Sequence, residues 1–125
     1  MINNPGIYMW WSTSCYGNDP NTVTGRRINP TTGNTEYLIY IGKSKDIKTR
    51  VNKHTSGNVD NSSIRKHLNE MGYDEQREID GWGLDVIYCD DYSRVERQMI
   101  EAFQPPLNRQ LITRVTSTHH MDIQR

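Results

Sequence analysis

The segment SRVERQMIEAF, residues 93–103, has the periodicity of an amphipathic helix with one irregularity. At 100° per residue, one apolar arc contains Val95, Met99, Ile100, Ala102 and Phe103, and Glu96 lies inside the same arc. Burying a carboxylate without a partner costs on the order of several kcal/mol. Two explanations are open. Ser93 and Glu96 fit an S-x-x-E capping box, in which the carboxylate caps its own helix, or the carboxylate binds a cation.

Further side chains that could do chemistry are spread along the chain. Two of them, Arg50 and His54, are four residues apart and would share one face of a helix. The others are two phenols on predicted strands, a lysine that follows the second of these strands, and an amide just after a proline pair. This second group is Tyr8, Tyr40, Lys43 and Asn108.

Three segments have the composition of β-strands. GIYMWWS follows Pro5, EYLIYIG spans residues 36–42, and GLDVIYC spans residues 83–89. All three are rich in β-branched and aromatic residues. Residues 13–35 are rich in Ser, Thr, Asn, Gly and Pro, which predicts a long loop joining the first two strands as an antiparallel hairpin. A loop of this length indicates a functional or mobile segment.

Helical periodicity predicts helices over roughly residues 45–55, over 64–71, and over 93–103, the last ending before a proline. The tail from about residue 110 contains a short strand-like segment, LITRV, and a polar end expected to fray. The order β-β-α-α-β-α predicts a single α+β domain over residues 1–125. Its centre would be a small, mostly antiparallel, three-stranded sheet flanked by helices.

Charge is balanced over the whole chain but unevenly placed. Fifteen lysines and arginines offset fifteen aspartates and glutamates, so composition alone gives no argument for a polyanionic partner. Residues 43–54 are basic and residues 84–101 are acidic, a pattern most simply attributed to two solvated faces. Cys15 and Cys89 lack metal-ligand spacing, and no apolar run approaches the length of a membrane span. We therefore expect reduced thiols, no membrane contact and a cytoplasmic location.

The polar residues and the two strands together resemble the GIY-YIG nuclease superfamily. The triplets Gly6-Ile7-Tyr8 and Tyr40-Ile41-Gly42 give that family its name. Short strings of this kind occur by chance, but here the lysine, arginine, glutamate and asparagine also follow at family spacings. The resemblance covers roughly residues 5–110. It departs from the family in the 31 residues between Tyr8 and Tyr40, because the family hairpin is usually much shorter.

The resemblance implies a metal-dependent endonuclease that hydrolyses phosphodiester bonds in DNA. Glu96 would be the ligand of one Mg²⁺ or Mn²⁺ ion, whose remaining ligands would be water and phosphate oxygens. The guanidinium of Arg50 would bind the scissile phosphate. Tyr8 and Tyr40 would orient the attacking water, with Lys43 nearby and Asn108 in a supporting role. The general base is left open between Tyr8, His54 and a metal-bound hydroxide.

Substrate handling is predicted from the resemblance and from where the basic residues lie. The resemblance implies double-stranded DNA as the partner, and a stand-alone enzyme of phage, restriction or DNA-processing type in a bacterial or phage-infected host cell. Cutting both strands would need a homodimer or two sequential events. The rival hypothesis is a non-catalytic nucleic-acid-binding module on the same scaffold. Five basic residues in the long loop and the first helix are expected to contact phosphates: Arg26, Arg27, Lys45, Lys48 and Lys53.

Overall fold

A computed structural model of the chain describes residues 4–50 and 62–111. Its centre is an antiparallel sheet of four strands in the order β2-β3-β1-β4. The strands are β1 Gly6–Ser12, β2 Arg26–Ile28, β3 Thr35–Ser44 and β4 Gly83–Tyr88. The helices are α1 Ser62–Glu70, α2 Glu75–Asp80 and α3 Tyr92–Phe103. Residues 47–50 and 106–111 are also helical.

The α+β class and the antiparallel sheet are as predicted, but the prediction of three strands is wrong. The additional strand is β2, which lies inside the predicted loop 13–35 and pairs with residues 35–37 of β3. Its three residues, Arg-Arg-Ile, are too short and too polar to show strand periodicity. A partner strand that supplies backbone hydrogen bonds is what stabilises them.

The helical predictions differ from the structure in smaller ways. The predicted helix over 64–71 is α1, the predicted end near Phe103 is confirmed, and α2 was not predicted. Of the helix predicted over 45–55, residues 47–50 are helical, and residues 51–55 lie outside the described residues. In the predicted tail strand LITRV, residue 111 is helical and the remainder lies outside the described residues.

Apolar side chains cover both faces of the sheet. On one face, Tyr8, Trp10 and Ile39 pack with side chains from α1, α2 and the helical residues 106–111. We call this the α1 face. On the other, Ile7, Met9, Leu38 and Ile41 pack against Val95, Met99 and Ile100 of α3, and we call this the α3 face. The two layers bury both sides of β1 and β3, which fixes the strands that carry the two triplets.

The segment between β1 and β2 is anchored by one buried tyrosine. The hydroxyl of Tyr16 accepts a hydrogen bond from Nε1 of Trp82 at 2.6 Å and donates one to Oε1 of Glu78 at 2.8 Å. Its ring also packs edge-on against Tyr73, with ring centroids 5.2 Å apart. These contacts join the segment to α2 and to the start of β4.

Within the described residues, no helix is both long enough and apolar enough to cross a membrane.

Candidate active site

Tyr8 and Gly42 are direct partners in the β1–β3 ladder, and the phenol ring lies over the glycine. A Cβ added at Gly42 would stand 2.2 Å from Cζ of Tyr8 and 2.3 Å from its hydroxyl oxygen. Contacts this short cannot be relieved by a small shift, so the close approach of the ring requires glycine. The first and second triplets therefore depend on each other: the glycine of one makes room for the tyrosine of the other.

Arg50 reaches the same phenol from the helical turn that follows β3. Its Nε lies 3.4 Å from the Tyr8 hydroxyl, a long contact for a hydrogen bond. Ile47 is buried and fixes this turn against the α1 face. The Asp46 carbonyl accepts the Arg50 N–H, and the Asp46 carboxylate accepts the hydroxyl of Thr49 at 2.9 Å.

Tyr40 completes a pair of phenols. Its ring centroid lies 6.3 Å from that of Tyr8, with the planes inclined by 38°. Burial raises the pKa of Tyr8, and the Arg50 guanidinium partly offsets this effect. Burial also raises the pKa of Tyr40 well above its ordinary value. Both phenols are therefore protonated at neutral pH.

Glu96 lies on α3, half-buried, where its charge acts on both phenols. Burial raises the pKa of its carboxyl group, and the Lys43 ammonium partly counteracts this. Within residues 4–50 and 62–111 the carboxylate accepts no hydrogen bond that would compensate for its burial. The site thus contains an acidic group whose charge is only partly balanced by the described side chains.

The capping-box explanation for Glu96 is wrong. α3 begins at Tyr92 with Asp91 as its N-cap, so Ser93 lies inside the first turn. The Ser93 hydroxyl accepts a hydrogen bond from Nζ of Lys43 at 3.2 Å. Ser93 is a residue whose role the sequence pattern misassigned. Its actual contact links the end of β3 to the start of α3, which holds Lys43 on the same side as Glu96.

Asn108 lies beside β3, buried with 7% of its surface exposed. Its side-chain oxygen accepts the N–H of Ile41 at 2.8 Å, and its amide nitrogen donates to the Ile41 carbonyl at 2.9 Å. β2 pairs only with residues 35–37, so the amide satisfies backbone groups that a further strand would otherwise bind. Ile41 lies between Tyr40 and Gly42, so Asn108 supports the strand that carries the site.

The predicted phosphate contacts divide into three groups. Lys45, Lys48 and Arg26 are exposed. Lys53, together with the predicted catalytic residue His54, lies outside the described residues. Arg27 is committed to internal contacts.

Arg27 bridges all four strands on the α3 face. It bonds Glu36 of β3 at 2.9 Å and Asp85 of β4 at 2.7 Å, and its guanidinium lies 4.3 Å from the centre of the Trp11 ring on β1. A Cβ at Gly83 would lie 3.0 Å from an Arg27 nitrogen, so the glycine leaves room for the guanidinium. These contacts occupy the charge of Arg27 and explain how a three-residue strand is held.

Arg27→Met is expected to lower stability by roughly 1–3 kcal/mol, because it leaves the buried Glu36 carboxylate without its cation. DNA affinity per folded molecule should be unchanged. The matched control is Arg26→Met, since Arg26 is the adjacent residue and is exposed. That change should leave the melting temperature unaltered. Thermal unfolding and the salt dependence of DNA binding measure the two effects. A shallower salt dependence in Arg27→Met without a change in melting temperature would contradict the assignment.

Glu96 fits a site for one hard cation better than a preformed metal cluster. Among the described residues, no three or more His, Cys, Asp and Glu side chains gather where they could hold a metal. A Mg²⁺ or Mn²⁺ ion can be held by a single carboxylate if water and substrate phosphates supply the other ligands. The partly balanced charge of Glu96 and its electrostatic influence on both phenols are compatible with such a site.

Comparison with known proteins agrees with this geometry. The sequence model described as the GIY-YIG catalytic domain matches residues 4–109. The match begins just before β1 and ends one residue after Asn108, so it includes every site residue predicted between Tyr8 and Asn108. The chain shows no significant match to the curated proteins or to the solved structures that were compared. The resemblance inferred from the triplets and spacings is confirmed: the chain belongs to the GIY-YIG family, whose catalytic domains are nucleases.

Proposed function

We propose that the protein is a divalent-metal-dependent endonuclease that hydrolyses phosphodiester bonds in double-stranded DNA. The observation that carries the proposal is the convergence of four side chains at one end of the sheet. Tyr8, Tyr40, Arg50 and Glu96 come from two strands and two helical segments, and they influence one another directly. Family membership supports nuclease activity; the metal and the substrate are our inference from the site.

The proposed reaction is an in-line attack of water on the scissile phosphate. The water oxygen forms a bond to phosphorus, and the bond from phosphorus to the leaving sugar oxygen breaks. The water proton passes to a base, and the leaving oxygen gains a proton. Arg50, whose guanidinium lies beside the Tyr8 hydroxyl, is proposed to bind a phosphate oxygen, because its charge and planar set of N–H donors suit a phosphate. Lys43 adds a second positive charge on the Glu96 side.

We propose Tyr8 as the general base, a role that requires its pKa to be lowered when substrate is bound. Because burial raises its pKa, the phenol is neutral at neutral pH and first orients the water through its hydroxyl group. It can accept the proton only when added positive charge lowers its pKa, as Arg50 already does in part. Tyr40, whose pKa is raised by burial and by the neighbouring Tyr8, is assigned to orientation.

Glu96 is the assigned ligand of the divalent cation, with Mg²⁺ or Mn²⁺ as the ion. When bound, such an ion would neutralise charge on the phosphate and lower the pKa of nearby water. Each chain contributes one such site, so a double-strand break requires two copies or two successive events. Such an enzyme would act in the cytoplasm, in phage, restriction or other DNA processing.

The test is nicking of supercoiled plasmid by the purified protein in Mg²⁺, in Mn²⁺ and in excess chelator. Conversion to open circles in either metal, abolished by chelator and restored by added ion, is expected. A protein that binds the plasmid in every buffer but never cuts it would favour the non-catalytic binding module. Cutting that persists in chelator would contradict the assignment of the metal.

A further inference from the structure

Tyr88 is an exposed aromatic residue at the catalytic end of the sheet. It is the last residue of β4, 64% of its surface is exposed, and β4 is an edge strand. The other exposed large apolar residues of the described chain are Ile28 on β2, Leu84 and Ile87 on β4, and Phe103 at the end of α3. Exposed apolar residues as such need no explanation. Tyr88 differs from the others in its position relative to Tyr8.

The strand register places Tyr88 on the same face as Tyr8. Gly6 is paired with Tyr88 and Tyr8 with Val86, and directly paired residues project from the same face of a sheet. Val86 packs against the core cluster that contains Tyr8, so this is the α1 face. Tyr88 is therefore one two-residue step beyond the catalytic phenol, on the neighbouring strand.

The separation between Tyr88 and the Tyr8 hydroxyl corresponds to a few nucleotides of one DNA strand. The Tyr8 hydroxyl lies over Gly42 on β3, and Tyr88 lies two strands away on β4. Strand spacing and the two-residue offset give about 12 Å along the sheet surface. At roughly 3.4 Å per nucleotide of one strand, this is the length of about three to four nucleotides.

The charges around Tyr88 favour a base over a phosphate as its contact. β4, with the sequence GLDVIY, contains no lysine or arginine. Exposed Asp90 follows it, and the next residue, Asp91, is paired with Arg94. The Asp90 carboxylate repels phosphates, whereas the site cations Lys43 and Arg50 lie on and after β3. An uncharged aromatic ring instead offers a surface on which a nucleobase can stack.

We propose that Tyr88 stacks on an unpaired nucleobase close to the cleavage position. The preferred substrates are then duplexes that carry a bulged, frayed or flapped nucleotide, because a paired base keeps both of its faces inside the helix. This inference rests on the proposed function, since it requires DNA in the site. Tyr88 would select the structure of the DNA, whereas the residues of the proposed active site act on the phosphate.

The experiment measures binding in the Glu96→Gln background, to prevent cutting. The probes are a duplex and the same duplex with a single bulged 2-aminopurine. Tyr88→Ala should weaken binding of the bulged duplex by roughly five- to a hundred-fold and abolish quenching of the 2-aminopurine. Tyr88→Phe should preserve both, and affinity for the intact duplex should not change. Ile28→Ala removes a comparably exposed side chain at the other edge of the sheet and should have no effect.

Each alternative result separates this inference from the proposed function. Equal binding and equal quenching in Tyr88→Ala would overturn the stacking role while leaving the nuclease proposal intact. An equal loss on both probes, with a lower melting temperature, would show a structural effect and would also overturn it. Failure of the parent protein to bind or cut either probe in Mg²⁺ or Mn²⁺ would contradict the proposed function and this inference together. In the cutting enzyme, Tyr88→Ala should raise KM for the bulged duplex and leave KM for the intact duplex unchanged. That result would support the stacking role independently.

Discussion

Glu96→Gln is expected to reduce DNA cleavage at least about a hundred-fold while leaving the fold as stable as before, or more stable. The activity falls because the amide cannot supply the negative oxygen that a divalent ion needs. Stability is maintained because a neutral side chain of the same shape no longer has to hold a partly desolvated charge, whose cost is seen as the raised pKa of Glu96. Nicking rates and thermal melting in chelator measure the two effects.

The pH dependence of this variant gives a further check. The folded-state pKa of Glu96 is raised, so the folded protein binds a proton more tightly than the unfolded chain does. The carboxylate therefore destabilises the native state above its raised pKa. That penalty disappears as the pH falls below the ordinary glutamate value of about 4.3. Any stability advantage of Glu96→Gln should be present at neutral pH and vanish in acid.

The matched control is Glu101→Gln, which changes an exposed glutamate one and a half turns further along α3. It should alter neither cleavage nor the pH profile of stability. If Glu101→Gln slowed cleavage as much as Glu96→Gln, the effect would be one of general charge and not of metal binding. Full activity in Glu96→Gln would remove the assignment of this residue as the ligand.

Asn108→Ala is expected to destabilise the protein by roughly 2–4 kcal/mol, because it leaves the N–H and the carbonyl of Ile41 without partners. The loss is local to the strand segment between Tyr40 and Gly42. A shift of about 1 Å in groups that position a reacting phosphate can cost on the order of a hundred-fold in rate. We therefore expect cleavage per folded molecule to fall at least about ten-fold, measured well below the melting temperature.

Gln110→Ala provides the comparison for this second prediction. The Gln110 amide also bonds a backbone carbonyl, that of Tyr16 at 2.7 Å, and it contacts His67 at 2.6 Å. It lies on the same helical segment as Asn108 but anchors the loop after β1. Gln110→Ala should therefore lower the stability of the protein without changing the rate of cleavage per folded molecule. Amide exchange at Ile41 should accelerate only in Asn108→Ala. Equal losses of activity in both variants would reduce the role of Asn108 to general stability.

Much of the fold and of the site could be predicted because the signals are local. The apolar periodicity of α3 predicted Glu96 on its inward side, and in the structure Glu96 is half-buried while Met99 and Ile100 pack on the sheet. The prediction fails at the end of the helix, where Ala102 and Phe103 are exposed. The two triplets lie on strands whose composition is typical of strands. Where the signal depended on a distant partner, prediction failed: β2 has no periodicity of its own, and Ser93 bonds a lysine fifty residues away.

By itself, the sequence determined the family and the identities of the side chains that could act on a phosphate, because both rest on residue types at fixed spacings. Only the tertiary structure decided how those side chains are held. In the folded chain the Tyr8 ring lies over Gly42, and Asn108 hydrogen-bonds to Ile41. Arg27 forms ion pairs with Glu36 and Asp85. The physical reason is that strand pairing joins residues far apart in the chain. Which charges are neutralised, and which stay available for a substrate, is fixed only when the sheet has formed.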